Sequence, residues 1–214
     1  MNRRGRLFVI SGPSGVGKSE IVKKVVREHP DVKLSVSCTT RSIRPSEKDG
    51  VNYIFLSRET FDAKVKADEF YEWANVHGNC YGTLKATVQE TLDRGEDLIL
   101  EIDVQGCLQA MAQDPEVVGI FIGPPSMENL EKRLRGRDEN TEAEYKMRLG
   151  NAAGEIAQAY KYRYLIIHED WAVNPNALQE ACDTVYACIR AARAELNANR
   201  GYLDELVTKL NSEV

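Results

Sequence analysis

The chain has 214 residues, enough for one or two compact domains with a sizeable hydrophobic core. Hydrophobic residues make up 43% and charged residues 29%, an ordinary globular balance that argues against disorder throughout. The formal net charge of -5 argues against a dedicated binder of nucleic acid or anionic membrane, yet leaves room for a small anion held by a local arginine cluster.

Residues 1–6 are basic, but the apolar run after them, residues 7–10 (LFVI), is too short for a signal-peptide core. No run approaches a membrane span. LFVI instead predicts a buried strand that stops at a Gly/Ser cluster. Beyond it, Ile21, Val22, Val25 and Val26 recur at helical spacing, with Lys and Glu on the other face. Residues 33–83 have a β-rich texture. Val32, Leu34 and Val36 alternate with polar residues as in a half-exposed strand, and further strands are expected near residues 51–55 and 69–76. One short helix, near residues 59–67, interrupts them.

The alternation of strand and helix then returns. The pattern predicts a helix over 85–94, a strand over 97–102, a helix over 104–111 and a strand over 117–122. Helices over 127–135 and 142–159 flank the charged stretch 136–140, and a last strand spans 164–168. Amphipathic helices over 176–193 and 196–210 close the chain, the second able to pack on the core or on another subunit. Alternation of this kind implies an α/β fold with a parallel sheet covered on both faces. The five cysteines (Cys38, Cys80, Cys107, Cys182, Cys188) are an odd set without a CxxC pair, which points to a reducing cytoplasm rather than a disulfide or metal scaffold.

The strongest local signal is Gly12-Pro13-Ser14-Gly15-Val16-Gly17-Lys18-Ser19, a complete G-x-x-x-x-G-K-S. Its glycines let the backbone curl so that N–H groups approach phosphate oxygens, and the helix that follows presents its positive end to the same anion. Lys18 supplies a point charge for the β- and γ-phosphates, and the Ser19 hydroxyl is a natural magnesium ligand. The expected strand before the loop and helix after it are the context this motif requires.

A second signal lies in the β-rich segment, where Arg41 and Arg44 stand three apart ahead of Glu47 and Tyr53. Paired guanidiniums beside a phenol can cradle a small phosphate, although alone they would read as a solvated loop with ordinary ion pairs. Further on, Glu72, Tyr81 and Thr83 gather a carboxylate, a phenol and a hydroxyl around a turn.

Taken together, SVSCTTRxxRPxExxGxxY, EFYEWAxVHGNxYGT, LEIDVQG and FIGPPS, in order after GPSGVGKS, resemble the guanylate kinase family over about residues 7–170. The resemblance implies a P-loop parallel sheet core flanked by helices (residues 1–34, 84–124 and 160–214). It also implies a β-rich GMP-binding insertion (35–83) and a helical lid (125–159). It implies magnesium-dependent transfer of a phosphoryl group from ATP to GMP, with dGMP an open alternative. By motif position Arg41, Arg44, Tyr53 and Tyr81 would hold the GMP phosphate, and Glu47 belongs to the same substrate-binding set. Ser37, Glu72, Thr83 and Asp103 would surround the guanine, and Arg133, Arg137 and Arg148 would approach the transferring group from the lid side. Asp103 has an ordinary alternative as a residue behind the magnesium site or as a helix cap, at the end of a strand where Glu101 competes for roles. Guanine offers donors at N1 and N2, so a carboxylate pocket suits it, and adenine would leave that carboxylate without its donor.

Three positions depart from the family pattern: Glu20 where threonine is usual, GRDEN in the lid, and His168 where an asparagine is expected. A buried, satisfied histidine is the plain reading of the last, and an altered donor-base preference is the alternative. A protein-binding module without chemistry and a kinase acting on a phosphorylated sugar are the rival readings. The intact Gly17-Lys18-Ser19 speaks against the first, and the Ser37, Glu72 and Thr83 set against the second.

Overall fold

The computed structural model describes residues 4–76, 78–136 and 142–212. The first unit is the expected strand β1 (Leu7–Ser11), glycine loop and helix α1 (Lys18–Glu28). Ile21, Val22 and Val25 bury the inner stripe of α1, while its lysines stay outside. Strand β2 (Val32–Leu34) follows, and the chain then leaves the core for a second sheet. That sheet comprises β3 (Cys38–Thr39), β4 (Ile54–Phe55), β5 (Phe70–Val76) and β6 (Asn79–Leu84). Helix α2 (Arg58–Lys66) sits between β4 and β5, and Ser57 caps it by accepting from the Thr60 N–H.

The return to the core brings α3 (Lys85–Asp93), β7 (Asp97–Glu101), α4 (Val104–Gln113) and β8 (Val118–Gly123). Helices α5 (Met127–Arg135) and α6 (Glu142–Ala157) come next, then a 3-10 turn and β9 (Tyr164–Ile167). Helix α7 (Ala177–Arg193) and, after a second 3-10 turn, α8 (Arg200–Ser212) complete the chain. No described helix is long and apolar enough to cross a membrane.

The core sheet has the order β2-β7-β1-β8-β9, parallel at every pairing. Crossover helices cover both faces, so the central strands carry continuous apolar runs rather than alternation. Phe8, Ile10, Ile120 and Ile122 pack against α1 and α7, and Val9, Leu98 and Leu100 against α3 and α4. Phe121 is fully buried, and truncation to alanine there would cost about 3–5 kcal/mol. The second sheet, ordered β4-β3-β6-β5, buries Phe61 and Phe70, whose rings stack at 4.4 Å.

Three local expectations change. The strand expected to run as far as Val36 stops at Leu34, at an edge of the parallel core sheet. Pairing in the expected strand near 51–55 is confined to β4, with Tyr53 reached only through an isolated bridge to Asp49. The sequence also showed no strand at 79–84, yet β6 lies at the centre of the second sheet, paired with β3 and β5.

Candidate active site

The glycine loop lies where β1 gives way to α1, beyond the carboxyl ends of the parallel strands, the place where such sheets bind ligands. Gly17, the residue before α1, has φ +99°, and a Cβ there would come within 2.7 Å of the His168 imidazole. Only glycine meets both conditions. Lys18 Nζ donates to the carbonyls of Gly12 (2.6 Å) and Pro13 (3.2 Å), so the cation is folded over its own loop. Ser19 Oγ donates to Glu101, which the β1–β7 register sets opposite Ile10. Glu20 is exposed on the first turn of α1.

Behind the loop, Arg133 from α5 donates to Val16 O (2.8 Å), His168 O (2.9 Å) and Glu169 O (2.8 Å). His168 is buried, and its Nδ1 lies 2.7 Å from the same Val16 carbonyl. Arg133 and His168 therefore brace the loop from its rear, and neither lines the main cavity. Arg148, from α6, reaches the front and donates to Ser14 Oγ at 3.3 Å. Arg137 lies outside the described residues.

A cavity of about 590 Å³ joins this loop to the second sheet. Gly12, Ser14, Lys18, Ser19 and Arg148 line one end of it, and Ser37, Arg41, Arg44, Glu47, Tyr53, Glu72, Tyr81 and Asp103 the other. Arg41 forms a two-pronged pair with Glu47, at 2.7 and 3.1 Å, and the same carboxylate accepts from the Arg44 backbone N–H at 2.9 Å. Glu47 holds the guanidinium pKa of Arg41 above its usual value. The Arg41 guanidinium also lies 5.5 Å from the centre of the Tyr53 ring, whose edge meets Tyr81. Glu47 thus aims the basic corner of the cavity, and Arg44 leaves its side chain exposed within it.

At the opposite corner Glu72 is 3% exposed. Desolvation pushes its pKa up to about 7, with Thr83 hydrogen bonds opposing and the Asp103 charge adding to the shift. Its Oε1 is buried without a protein partner. The Ser37 and Thr83 hydroxyls meet at 3.3 Å beside it, and Thr83 is fully buried behind the cavity wall. Asp103 caps α4 by accepting from the Gly106 N–H at 2.8 Å, so the capping alternative holds while its side chain still faces the cavity. Sequence reasoning assigned no place to Glu155, two helical turns beyond Arg148 on α6, which also lines the cavity. The seven-residue spacing was its only signal. Glu101 also lines the cavity, and its approach to Ser19 is set by strand register, which no local sequence pattern reveals.

A parallel sheet with a phosphate loop at its carboxyl edge, opening into a cavity with a second basic corner, defines a P-loop nucleotide phosphotransferase class. The family model described as Guanylate kinase matches residues 4–192. The guanylate kinase of Syntrophotalea carbinolica is 48% identical over 202 residues, covering 94% of each chain. That of Thermotoga maritima is 39% identical over 201 residues, again 94% of each. The crystal structure of guanylate kinase from Anaplasma phagocytophilum superposes with a TM-score of 0.73 at 33% identity, covering 90% of this chain and 88% of that one. The chain belongs to the guanylate kinase family.

Proposed function

We propose that this chain transfers the γ-phosphoryl group of ATP to GMP by direct in-line attack, giving ADP and GDP. The observation that carries the reading is the partnerless, buried Glu72 Oε1 in the same cavity as Lys18 and Ser19. A carboxylate in that position is costly until a ligand supplies donors, and the N1 and N2 hydrogens of guanine are such donors. Ser37 and Asp103 complete the polar wall around the base, with Thr83 holding Glu72 from behind it, while Arg41, Arg44, Tyr53 and Tyr81 take the acceptor phosphate.

Phosphoryl transfer asks the protein mainly for alignment and charge stabilisation. The loop amides of residues 12–17 and the positive end of α1 receive the donor phosphates, with Lys18 as their counter-charge. Arg148, at the loop end of the cavity beside Ser14, faces the transferring group, and Arg137 belongs to the same group by its place in the family motif. Arg133 acts from behind by holding Val16. The Ser19 hydroxyl beside the Glu101 carboxylate is an all-oxygen donor set that fits magnesium, which would neutralise charge on the phosphates when bound. The five free cysteines fit a cytoplasmic location. The exposed Leu203, Leu206, Val207 and Leu210 on α8 support self-association through that helix, which light scattering of the full chain and of a form ending at residue 195 would test.

The deciding experiment is ADP release from Mg-ATP with GMP, dGMP, AMP, CMP, UMP or no acceptor, beside a Lys18→Ala control. Turnover confined to guanine nucleotides and lost in the control is expected. Folded protein without turnover on any acceptor would remove the kinase reading.

A further inference from the structure

Gly106 lies in the first turn of α4, on the core side of the cavity, and carries no side chain that could touch a base. Its surroundings are nevertheless specific. A Cβ at this position would stand 2.4 Å from Glu72 Oε2, 3.3 Å from Glu72 Cδ and 3.2 Å from Asp103 Oδ1. The first distance is shorter than any that real Cβ atoms tolerate, so the carboxylate would have to move. The Gly106 N–H is also the group that Asp103 caps.

The backbone does not require glycine here. Gly106 is absent from the residues of positive φ, and alanine is the better helix former at a helical position. Space is what glycine supplies. Strand β5 shows the matching adjustment, because its register with β6 shifts between Phe70 and Glu72. An irregularity of that kind re-aims the side chains beside it. Gln109, one turn further along α4, accepts from the Trp73 N–H (3.3 Å) and donates to the Trp73 carbonyl (2.9 Å), fixing the same stretch of β5 against the helix. Glu72 is therefore gripped on three sides: by the Thr83 hydrogen bond, by the α4–β5 clasp and by close contact over a bare Cα.

We infer that Gly106 is a positioning residue for guanine selectivity: its bare Cα forms the floor on which the Glu72 carboxylate lies, and its N–H orients Asp103 beside it. The inference rests on the guanine reading of the cavity. It adds that selectivity depends on a residue that contacts no part of the substrate.

The test compares Gly106→Ala, Glu72→Asp and the double variant with the unmodified protein. Gly106→Ala should raise the KM for GMP at least tenfold and narrow the preference for GMP over AMP, with the KM for ATP within twofold. In the nucleotide-free protein, the carbon-13 NMR titration of the Glu72 carboxyl should move away from about 7 as the group leaves its dry seat. Aspartate, one methylene shorter, draws back from the new methyl group, so the double variant should lose less GMP affinity than the product of the single losses. A GMP KM within twofold of the original, an ATP KM that rises equally, or strictly multiplicative losses would each overturn the inference. If Gly106→Ala does not fold, rescue of folding by Glu72→Asp supports the clash and failure to rescue refutes it. Failure of the guanine reading itself shows separately, as an unmodified protein without base preference. In that event an unmoved Glu72 titration in Gly106→Ala still refutes the packing claim.

Discussion

Replacing Glu72 by glutamine should make the nucleotide-free protein more stable while damaging its use of GMP. The folded carboxyl titrates at about 7, against 4.5 for an unperturbed glutamate. Between those values the folded chain holds a proton that the unfolded chain has released. The glutamate form is therefore progressively destabilised as the pH rises from 4.5 to 7, and the loss is complete above that window. A shift from 4.5 to about 7 corresponds to roughly 3 kcal/mol at 1.36 kcal/mol per pH unit. Because Glu72 is 3% exposed, solvent screening removes little of this. For a chain of this size the gain is worth roughly 6–12 °C in Tm. Thermal melts of both forms at pH 5 and pH 8 isolate the ionisation from any pH-independent change in packing. The Tm advantage of Glu72→Gln should be several degrees larger at pH 8 than at pH 5. An advantage of equal size at both values would refute the argument, whatever its sign.

The same carboxyl predicts that the KM for GMP rises about tenfold between pH 8 and pH 6, where roughly a tenth of it remains ionised, with the ATP KM unmoved by this group. Initial-rate measurements over that range check it, and the rise should vanish in Glu72→Gln. Lys18→Ala should lower kcat by at least ~100-fold without shifting the thermal midpoint by more than a few degrees, as read from ADP release and melting. Arg133→Ala removes the donors to three carbonyls and should cost about 2–3 kcal/mol of stability and raise the KM for ATP. Denaturant melts and donor titrations report the two effects. Glu101→Gln should raise the magnesium concentration needed for half-maximal rate and leave the GMP KM within twofold, measured by titrating the metal at fixed nucleotide.

The elements that were legible in the sequence are those whose burial leaves a one-dimensional trace. β1, β7 and β8 announce themselves as short apolar runs, and α1 and α7 as stripes, because crossover packing covers every central strand. β6 left no such trace. NCYGTL mixes small, polar and aromatic residues, and its place is set by partners on both sides. β3 is too short, at two residues, for any period to appear. The site divides in the same way. The phosphate loop is contiguous and could be read directly. The bracing of Val16 by Arg133 and His168 joins positions up to 152 residues apart, so no local pattern could reveal it. Asp103 was assigned to guanine with capping as its alternative, and its side chain caps α4 while still lining the cavity.

The resting contacts of Lys18 bear on how a phosphate would enter and leave the loop. Its ammonium is already shared between the carbonyls of Gly12 and Pro13, within the loop that carries it. A phosphate that draws the lysine away must break those contacts, so nucleotide arrival is an exchange of partners and not a gain from nothing. The favourable energy of each new contact is partly offset on entry and recovered on exit. A spent nucleotide then leaves behind a lysine whose replacement partners are within reach. On the proposed reading of the loop, the internal clasp would keep the charge satisfied between turnovers and would lessen its hold on product.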